Sequence, residues 1–151
     1  MSLEEEVKLI RRFPIFSKIA PAMQKLLCFS SERLSYDAGQ VMFRVGDTAD
    51  AAYVVIDGAV DITIPTPRGD LLVNTLGRDD IIGEIAIFGD VPRTATATAT
   101  SKVETLRISK EMFINIIREN PDAALELIRI LAARLANTTA QLSRANGAGK
   151  A

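Results

Sequence analysis

The stretch from residue 52 to residue 76 reads AYVVIDGAVDITIPTPRGDLLVNTL, and it decides the fold class. In its centre, Val60, Ile62 and Ile64 alternate with polar residues. Successive side chains of a β-strand point to opposite faces, so this period of two predicts a strand with one buried and one exposed face. Gly58 and Gly69 flank the run, and glycine is a residue that tight turns favour. The stretch therefore indicates short strands joined by turns.

The same pattern continues on both sides of this stretch. Apolar runs at 41–44 and 102–108, and an alternating Thr-Ala run at 94–100, predict additional strands. Many short strands with regular turn signals are typical of a β-sandwich or β-barrel, and we expect a jelly roll. The turn signals are glycines six to twelve residues apart: Gly39, Gly46, Gly58, Gly69, Gly77, Gly83 and Gly89.

Helical spacing replaces the strand pattern at both ends of the chain. Residues 3–28 carry apolar side chains at helical intervals, interrupted before Pro14, and Pro21 suits the first turn of a second short helix. Ser109 is a predicted N-cap, after which the helical pattern resumes. The last helix is predicted over residues 122–144, and residues 145–151 are expected to form a flexible tail.

The composition fits a globular domain and excludes several classes of function. The 151 residues are 48% hydrophobic and 25% charged, and none is histidine, which removes histidine general bases and histidine-ligated metal sites. Eighteen Lys and Arg residues against nineteen Asp and Glu give a net charge of −1, unlike a dedicated nucleic-acid binder. No apolar run approaches the ~20 residues that span a bilayer. We expect a cytoplasmic protein with no membrane segment.

Residues 81–97, IIGEIAIFGDVPRTATA, contain the groups that predict a binding site. A short helical turn beginning at Glu84 presents unpaired backbone N–H groups, which favour anions. Arg93 and Thr94 add a guanidinium and a hydroxyl that can bind a phosphate. The carboxylate of Glu84 would repel a phosphate, so it should face a donor such as a sugar hydroxyl. These groups together describe a site for a ribose phosphate.

With these residues in this order and at this spacing, the segment resembles the phosphate-binding cassette of the cyclic nucleotide-binding domain family. The resemblance spans roughly residues 10–143. It implies a mainly β fold, a cupin-like β-barrel (jelly roll) with N-terminal helices and a long C-terminal helix. Glu84 would accept from the ribose 2′-hydroxyl, and Arg93 would pair with the cyclic phosphate. The other cassette residues implied to line the pocket are Gly83, Ile85, Ala86, Thr94 and Ala95. No catalytic residue, metal or cofactor beyond the nucleotide ligand is implied.

The implied organisation is one cyclic nucleotide-binding domain over residues 1–144. Its N-terminal helices occupy 1–29, its β-barrel 30–108 with the cassette at 82–95, and its C-terminal helices 109–144. Three alternatives stay open. In the first, the ligand is cGMP rather than cAMP. In the second, Glu84 and Arg93 merely pair with each other, and the fold no longer binds a nucleotide and serves as a protein-interaction module. The third is a sugar- or metal-handling enzyme on a similar jelly roll, which would ordinarily rest on histidine ligands.

An apolar stripe on the last helix predicts pairing with a second copy. Its members are spaced 4, 3, 4, 3, 4, as in a heptad seam: Ala124, Ile128, Leu131, Leu135, Thr138 and Leu142. Leu127 and Ile130 widen this face, so part of it can pack on the chain's own strands. Resemblance to the family's dimeric bacterial transcription regulators implies that Thr138 and Thr139 contact the adenine amino group and that Arg134 lies near the cassette carboxylate. This favours cAMP.

The function expected from these features is regulatory rather than enzymatic. The domain would bind a cyclic nucleotide and signal through rearrangement of its C-terminal helix, as a homodimer or toward an effector protein. The bacterial regulators continue into a helix-turn-helix domain, and this sequence shows none, so we expect no DNA binding by this chain.

Overall fold

The computed structural model describes residues 2–148, with side chains described as far as Arg144. The helices are α1 (Leu3–Arg11), α2 (Pro14–Ser17), α3 (Pro21–Ser30), α4 (Glu84–Gly89), α5 (Lys110–Glu119) and α6 (Pro121–Ala148). The strands are β1 (Glu32–Tyr36), β2 (Val41–Phe43), β3 (Ala51–Asp57), β4 (Val60–Thr66), β5 (Gly69–Leu76), β6 (Ile81–Ile82), β7 (Thr96–Ala99) and β8 (Val103–Ser109). The prediction of central strands flanked by helices is confirmed.

The eight strands form two four-stranded antiparallel sheets, ordered β1-β8-β3-β6 and β2-β7-β4-β5. Within residues 2–148, no hydrogen-bonded strand pair joins one sheet to the other. The expected closed β-barrel is therefore wrong, and the jelly-roll expectation holds only as far as two antiparallel sheets. Two of the four edge strands are very short, since β2 has three residues and β6 has two, which leaves few backbone groups for pairing across those edges.

Strand β3 separates two hydrophobic clusters. Val54 and Ile56 belong to the cluster that the first sheet forms with the helices. Tyr53 and Val55 belong to the cluster between the two sheets. A strand covered on both faces needs apolar residues at every position, which explains the continuous apolar run of this segment. The two sheets thus enclose a core, and the helices pack on the outer face of the first sheet.

The Thr-Ala run forms a shorter strand than the sequence predicts. Only residues 96–99 pair, as β7, and the predicted alternation is present there. Ala97 and Ala99 are fully buried, whereas Thr96 and Thr98 are half-buried, which gives a small-residue face and a hydroxyl face. The first two residues of the predicted strand instead lie beside a cavity described below.

The helix ends agree with the sequence signals in part. The Ser109 side chain accepts from the Met112 backbone N–H at 3.2 Å, as expected of an N-cap. Helix α6 continues to Ala148, four residues beyond the predicted end. Ala145 and Ala148 favour the helix although Gly147 does not, and no proline stops it. The predicted tail at 145–151 is therefore wrong for its helical part, and residues 149–151 lie outside the described residues.

Candidate functional site

The chain passes from β6 into α4 through a left-handed residue, Gly83, with φ of +89°. Glycine adopts this region without the steric cost that other residues incur. A Cβ atom added here would also lie 2.4 Å from Nη1 of Arg93, well inside van der Waals contact. Backbone conformation and the approach of Arg93 therefore both require glycine at this position.

Arg93 is a buried cation that backbone carbonyls and an aromatic ring hold in place. It is 3% exposed, and it donates through Nη1 to the Gly83 carbonyl at 2.8 Å and through Nη2 to the Ala51 carbonyl at 2.6 Å. Its guanidinium carbon lies 4.2 Å from the centroid of the Phe43 ring, a cation–π arrangement. The Nε atom is buried and has no hydrogen-bond partner among the described residues.

No carboxylate of residues 2–148 forms a salt bridge with Arg93. Burial lowers the pKa of this guanidinium from its usual value, because the charged form loses hydration. Tyr53, Asp50, Glu84 and Asp47 act more weakly in the opposite direction. A buried guanidinium without a contacting counter-ion is the electrostatic arrangement expected of an anion site.

Glu84, the first residue of α4, forms a buried ion pair with Arg134 of α6. Its side chain is 2% exposed and that of Arg134 is 13% exposed, and Nη1 of Arg134 donates to Oε1 of Glu84 at 2.6 Å. The predicted proximity of these two residues is confirmed. The alternative in which Glu84 and Arg93 pair with each other at a surface is wrong, since each is buried with a different partner. Nη2 of Arg134 is buried without a hydrogen-bond partner among the described residues.

These residues line a cavity of about 260 Å³ between α4, the sheets and α6. Its volume lies near the lower end of the ~300–1,000 Å³ typical of small-molecule sites. Nine of the ten residues predicted for the site line it: Gly83, Glu84, Ile85, Ala86, Arg93, Thr94, Ala95, Arg134 and Thr138. Thr139, the tenth, is exposed and does not line the cavity. Successive residues of a helix point about 100° apart, and Thr139 falls on the exposed side of α6.

Helix α6 covers this cavity and makes polar contacts with its wall at two positions along the helix, about one turn apart. Arg134 contacts α4, and one turn further along Asn137 donates through Nδ2 to the Val73 carbonyl at 3.4 Å and to Oδ1 of Asn74 at 3.1 Å. Both acceptors belong to β5. Thr138 follows directly and lines the cavity. The helix is thus docked on two separate elements of the cavity wall.

Arg134 also borders a second cavity of about 260 Å³, which lies between α2, the turn before β6 and α6. Arg12 and Asp79 form an ion pair at its edge, and Arg12 also donates to the Ile56 carbonyl at 2.6 Å. Arg134 is therefore the side chain shared by the walls of the two cavities.

The sequence prediction missed several residues of the site. Ile62 and Ile64 line the cavity, and their period-two spacing on a half-buried strand was a usable signal. Phe43, the polar Asn74 and three other apolar wall residues carried no comparable sequence pattern, because strand pairing and not local sequence brings them to the cavity. These others are Val73, Leu76 and Ile82.

The fold and this site define a member of the cyclic nucleotide-binding domain family. The model of the family described as "Cyclic nucleotide-binding domain" matches residues 33–120, more than half of the chain, and the chain belongs to this family. The predicted family is thereby confirmed.

Several relatives and solved structures that match this chain are transcription regulators. The chain is 28% identical over 137 residues to a "CRP-like cAMP-activated global transcriptional regulator" of Mycobacterium tuberculosis; the match covers 90% of this chain and 61% of that protein's length. The sensor domain of the transcriptional regulator DNR from Pseudomonas aeruginosa is similar with a TM-score of 0.77 and 28% identity, covering 88% of this chain and 90% of that one. The Thermus thermophilus catabolite activator protein gives a TM-score of 0.72 at 28% identity, over 88% and 63% of the two chains.

Two kinds of structural feature are absent from the described residues. None of the helices there is long and apolar enough to cross a membrane. No group of three or more His, Cys, Asp or Glu side chains in that part of the chain is arranged to hold a metal ion.

Proposed function

We propose that this chain is a regulatory domain that binds a cyclic nucleotide, with cAMP as the preferred ligand, in the cavity beneath α6. The observation that carries the proposal is Arg93, a buried guanidinium with no contacting carboxylate at the wall of a largely apolar cavity. A singly charged cyclic phosphate would supply the missing counter-charge.

Arg93 has the donors to bind a phosphate without giving up its present contacts. A guanidinium carries five N–H donors, and the two recorded hydrogen bonds to backbone carbonyls use two of them. The remaining three include Nε–H, which is buried and unpartnered. The carbonyls would therefore fix the orientation of the guanidinium, and the edge that carries Nε–H would bind the phosphate in a bidentate manner. Thr94 adds a hydroxyl at the same wall.

Glu84 would hold the ribose. A carboxylate is an acceptor, so it would repel the phosphate but take a hydrogen bond from the 2′-hydroxyl. The ion pair with Arg134 holds the Glu84 side chain in the cavity wall. Because Arg134 belongs to α6, the same pair would link the occupied site to the position of that helix.

Thr138 lines the cavity and would contact the base through its hydroxyl, which accepts as well as donates. It would accept from the exocyclic amino group of adenine, which is the reason for proposing cAMP over cGMP. The proposed output is a shift in the population of α6 positions rather than a chemical reaction. The recipient would be a second copy of this chain or an effector protein, and the match to a cAMP-activated regulator supports a role of this kind.

Calorimetric titration of the chain with cAMP, cGMP and 5′-AMP tests the proposal. We expect saturable binding of one cAMP per chain, weaker binding of cGMP, and weaker binding still of 5′-AMP, whose phosphate is not cyclic. Chromatography after prolonged incubation should recover cAMP intact. Absence of heat with either cyclic nucleotide would instead support a protein-interaction module, tighter binding of cGMP would reverse the assignment, and loss of cAMP would indicate a hydrolase.

We also propose that α6 pairs with α6 of a second copy. Leu127, which widens the predicted stripe, is buried against the chain's own core, but the stripe residues Ile128 and Leu135 are 61% and 69% exposed. Leu142, seven residues beyond Leu135, is also exposed. Residues at this spacing lie on one face of a helix, and an exposed apolar row of this kind fits a parallel two-helix seam.

Light scattering at high protein concentration checks the pairing. We expect the mass of a dimer for the unaltered chain and of a monomer for Leu135→Glu, because two buried carboxylates would face each other across the seam. Leu72→Glu adds the same charge at a 43% exposed leucine of β5 and should leave the dimer intact. A monomeric mass for the unaltered chain at all concentrations would contradict the pairing.

A further inference from the structure

Two asparagines join β5 to α6 at the rim of the cavity. Asn137 donates through Nδ2 to the Val73 carbonyl at 3.4 Å and to Oδ1 of Asn74 at 3.1 Å. Asn74 lines the cavity, as does Thr138, the residue that follows Asn137. An amide from β5 and a hydroxyl from α6 thus both belong to the wall of this cavity.

The hydrogen bonds fix which end of the Asn74 amide is free. A backbone carbonyl can only accept, so the atom of Asn137 that faces Val73 must be the NH₂ group. That NH₂ group also faces Asn74, and the atom of Asn74 that receives it must therefore be the oxygen. The opposite end of Asn74 is its own NH₂ group, for which the described residues provide no recorded acceptor.

We propose that Asn74, oriented by Asn137, determines the base preference of this site by donating to N1 of adenine; this inference rests on the proposed function. Adenine presents an amino donor at N6 beside an acceptor at N1. Guanine presents the reverse, an acceptor at O6 beside a donor at N1. The Thr138 hydroxyl can accept from adenine N6 or donate to guanine O6, whereas a donating amide from Asn74 complements adenine N1 and opposes the donor at guanine N1.

The proposal assigns Asn137 the role of a positioning residue. Without it, the Asn74 amide could rotate and present either its oxygen or its NH₂ group, so discrimination at N1 would fall although Asn74 is unchanged. Donation to N7 would not produce this discrimination, because adenine and guanine share an acceptor there. Asn74 can therefore distinguish adenine from guanine only if it donates to N1.

A chemical double-mutant cycle tests the contact. Binding of cAMP and of 1-deaza-cAMP, in which C–H replaces N1, is measured by calorimetry for the unaltered chain and for Asn74→Ala. We expect the unaltered chain to bind 1-deaza-cAMP roughly 5- to 10-fold more weakly than cAMP, as for one hydrogen bond, and Asn74→Ala to bind the two about equally. Asn137→Ala should show an intermediate penalty.

Two further variants keep the test decisive. Asn74→Asp preserves the shape and the oxygen that receives Asn137 but replaces the free donor by an acceptor, so cAMP binding should fall roughly tenfold while cGMP binding does not fall. Thr75→Ala, at the exposed neighbouring position of β5, should leave the 1-deaza penalty unchanged.

The inference is overturned if the unaltered chain binds both analogues equally, if the 1-deaza penalty persists in Asn74→Ala, or if only 7-deaza-cAMP shows coupling to Asn74. In each of those outcomes cAMP still binds, and the proposed function stands. Failure of the unaltered chain to bind any cyclic nucleotide would overturn the proposed function itself, so the two failures are distinguishable.

Discussion

Replacing Arg93 by alanine is expected to weaken cAMP binding by about 3 kcal/mol, or roughly 100-fold, as measured by calorimetry. The loss has this size because the side chain is charged, 3% exposed and shielded from water, where a hydrogen bond to an ionised partner is strong. Arg93→Lys keeps the charge without the planar fork, and Arg93→Gln keeps an NH₂ donor without the charge. We expect affinity to fall in the order Arg, Lys, Gln, Ala.

Folding must be separated from binding in this series. Arg93 also satisfies the Gly83 and Ala51 carbonyls, so removal of its side chain leaves buried acceptors unpaired and lowers stability as well. Thermal unfolding of each ligand-free variant identifies those that remain folded at the temperature of titration. Arg129→Ala, at an exposed α6 position with only an i,i+3 ion pair, removes the same charge and should leave affinity unchanged. Equal affinities of Arg93→Ala and the unaltered chain would remove Arg93 from the site.

Breaking the Glu84–Arg134 pair from either side is expected to lower the free energy of unfolding by about 3 kcal/mol, as measured by urea denaturation of the ligand-free chain. Both side chains are largely buried, at 2% and 13% exposed, so removal of one partner leaves the other as an uncompensated charge away from water. Glu84→Gln and Arg134→Met should each show this loss.

The double variant Glu84→Gln/Arg134→Met separates the pair from its parts. It contains neither buried charge, so its loss should be smaller than the sum of the two single losses by about 1–3 kcal/mol. The exposed Glu126–Arg129 pair of the same helix is the matched control, and Glu126→Gln should cost no more than about 0.5 kcal/mol. Single losses below about 1 kcal/mol, or strict additivity, would show that the pair does not anchor α6 on α4.

The chemistry of the site was predictable from sequence because it is concentrated in one local segment. Residues 83–95 contain the turn glycine, the carboxylate and the guanidinium, so the groups were recognisable within one short segment even though Ala51 and Phe43 help to hold Arg93. The contact of Arg134 with Glu84 spans fifty positions, and it followed from a family resemblance and from the cost of burying an unpaired carboxylate.

Features set by pairing between distant strands were not predictable in this way. The cation–π contact of Phe43 with Arg93 depends on the pairing of β2 with β7, and the bridge from Asn74 to Asn137 depends on how β5 meets α6. The closed barrel failed for a related reason. Turn spacing and alternation specify strands and their faces, but whether a sheet closes depends on strand tilt and on the pairing of distant strands.

Helix α6 has one face toward the cavity and another face exposed on the outside, and both belong to the same continuous helix. Arg134 and Thr138 border the cavity, whereas Ile128 and Leu135 face outward with their apolar side chains exposed. Anything that restricts the motion of one face restricts the other, and thermodynamic coupling between two binding events is reciprocal. If copies of this chain associate through the outward face, the cyclic nucleotide concentration that half-saturates the cavity will depend on the concentration of the protein in the cell. Abundance would then set the sensitivity of the response.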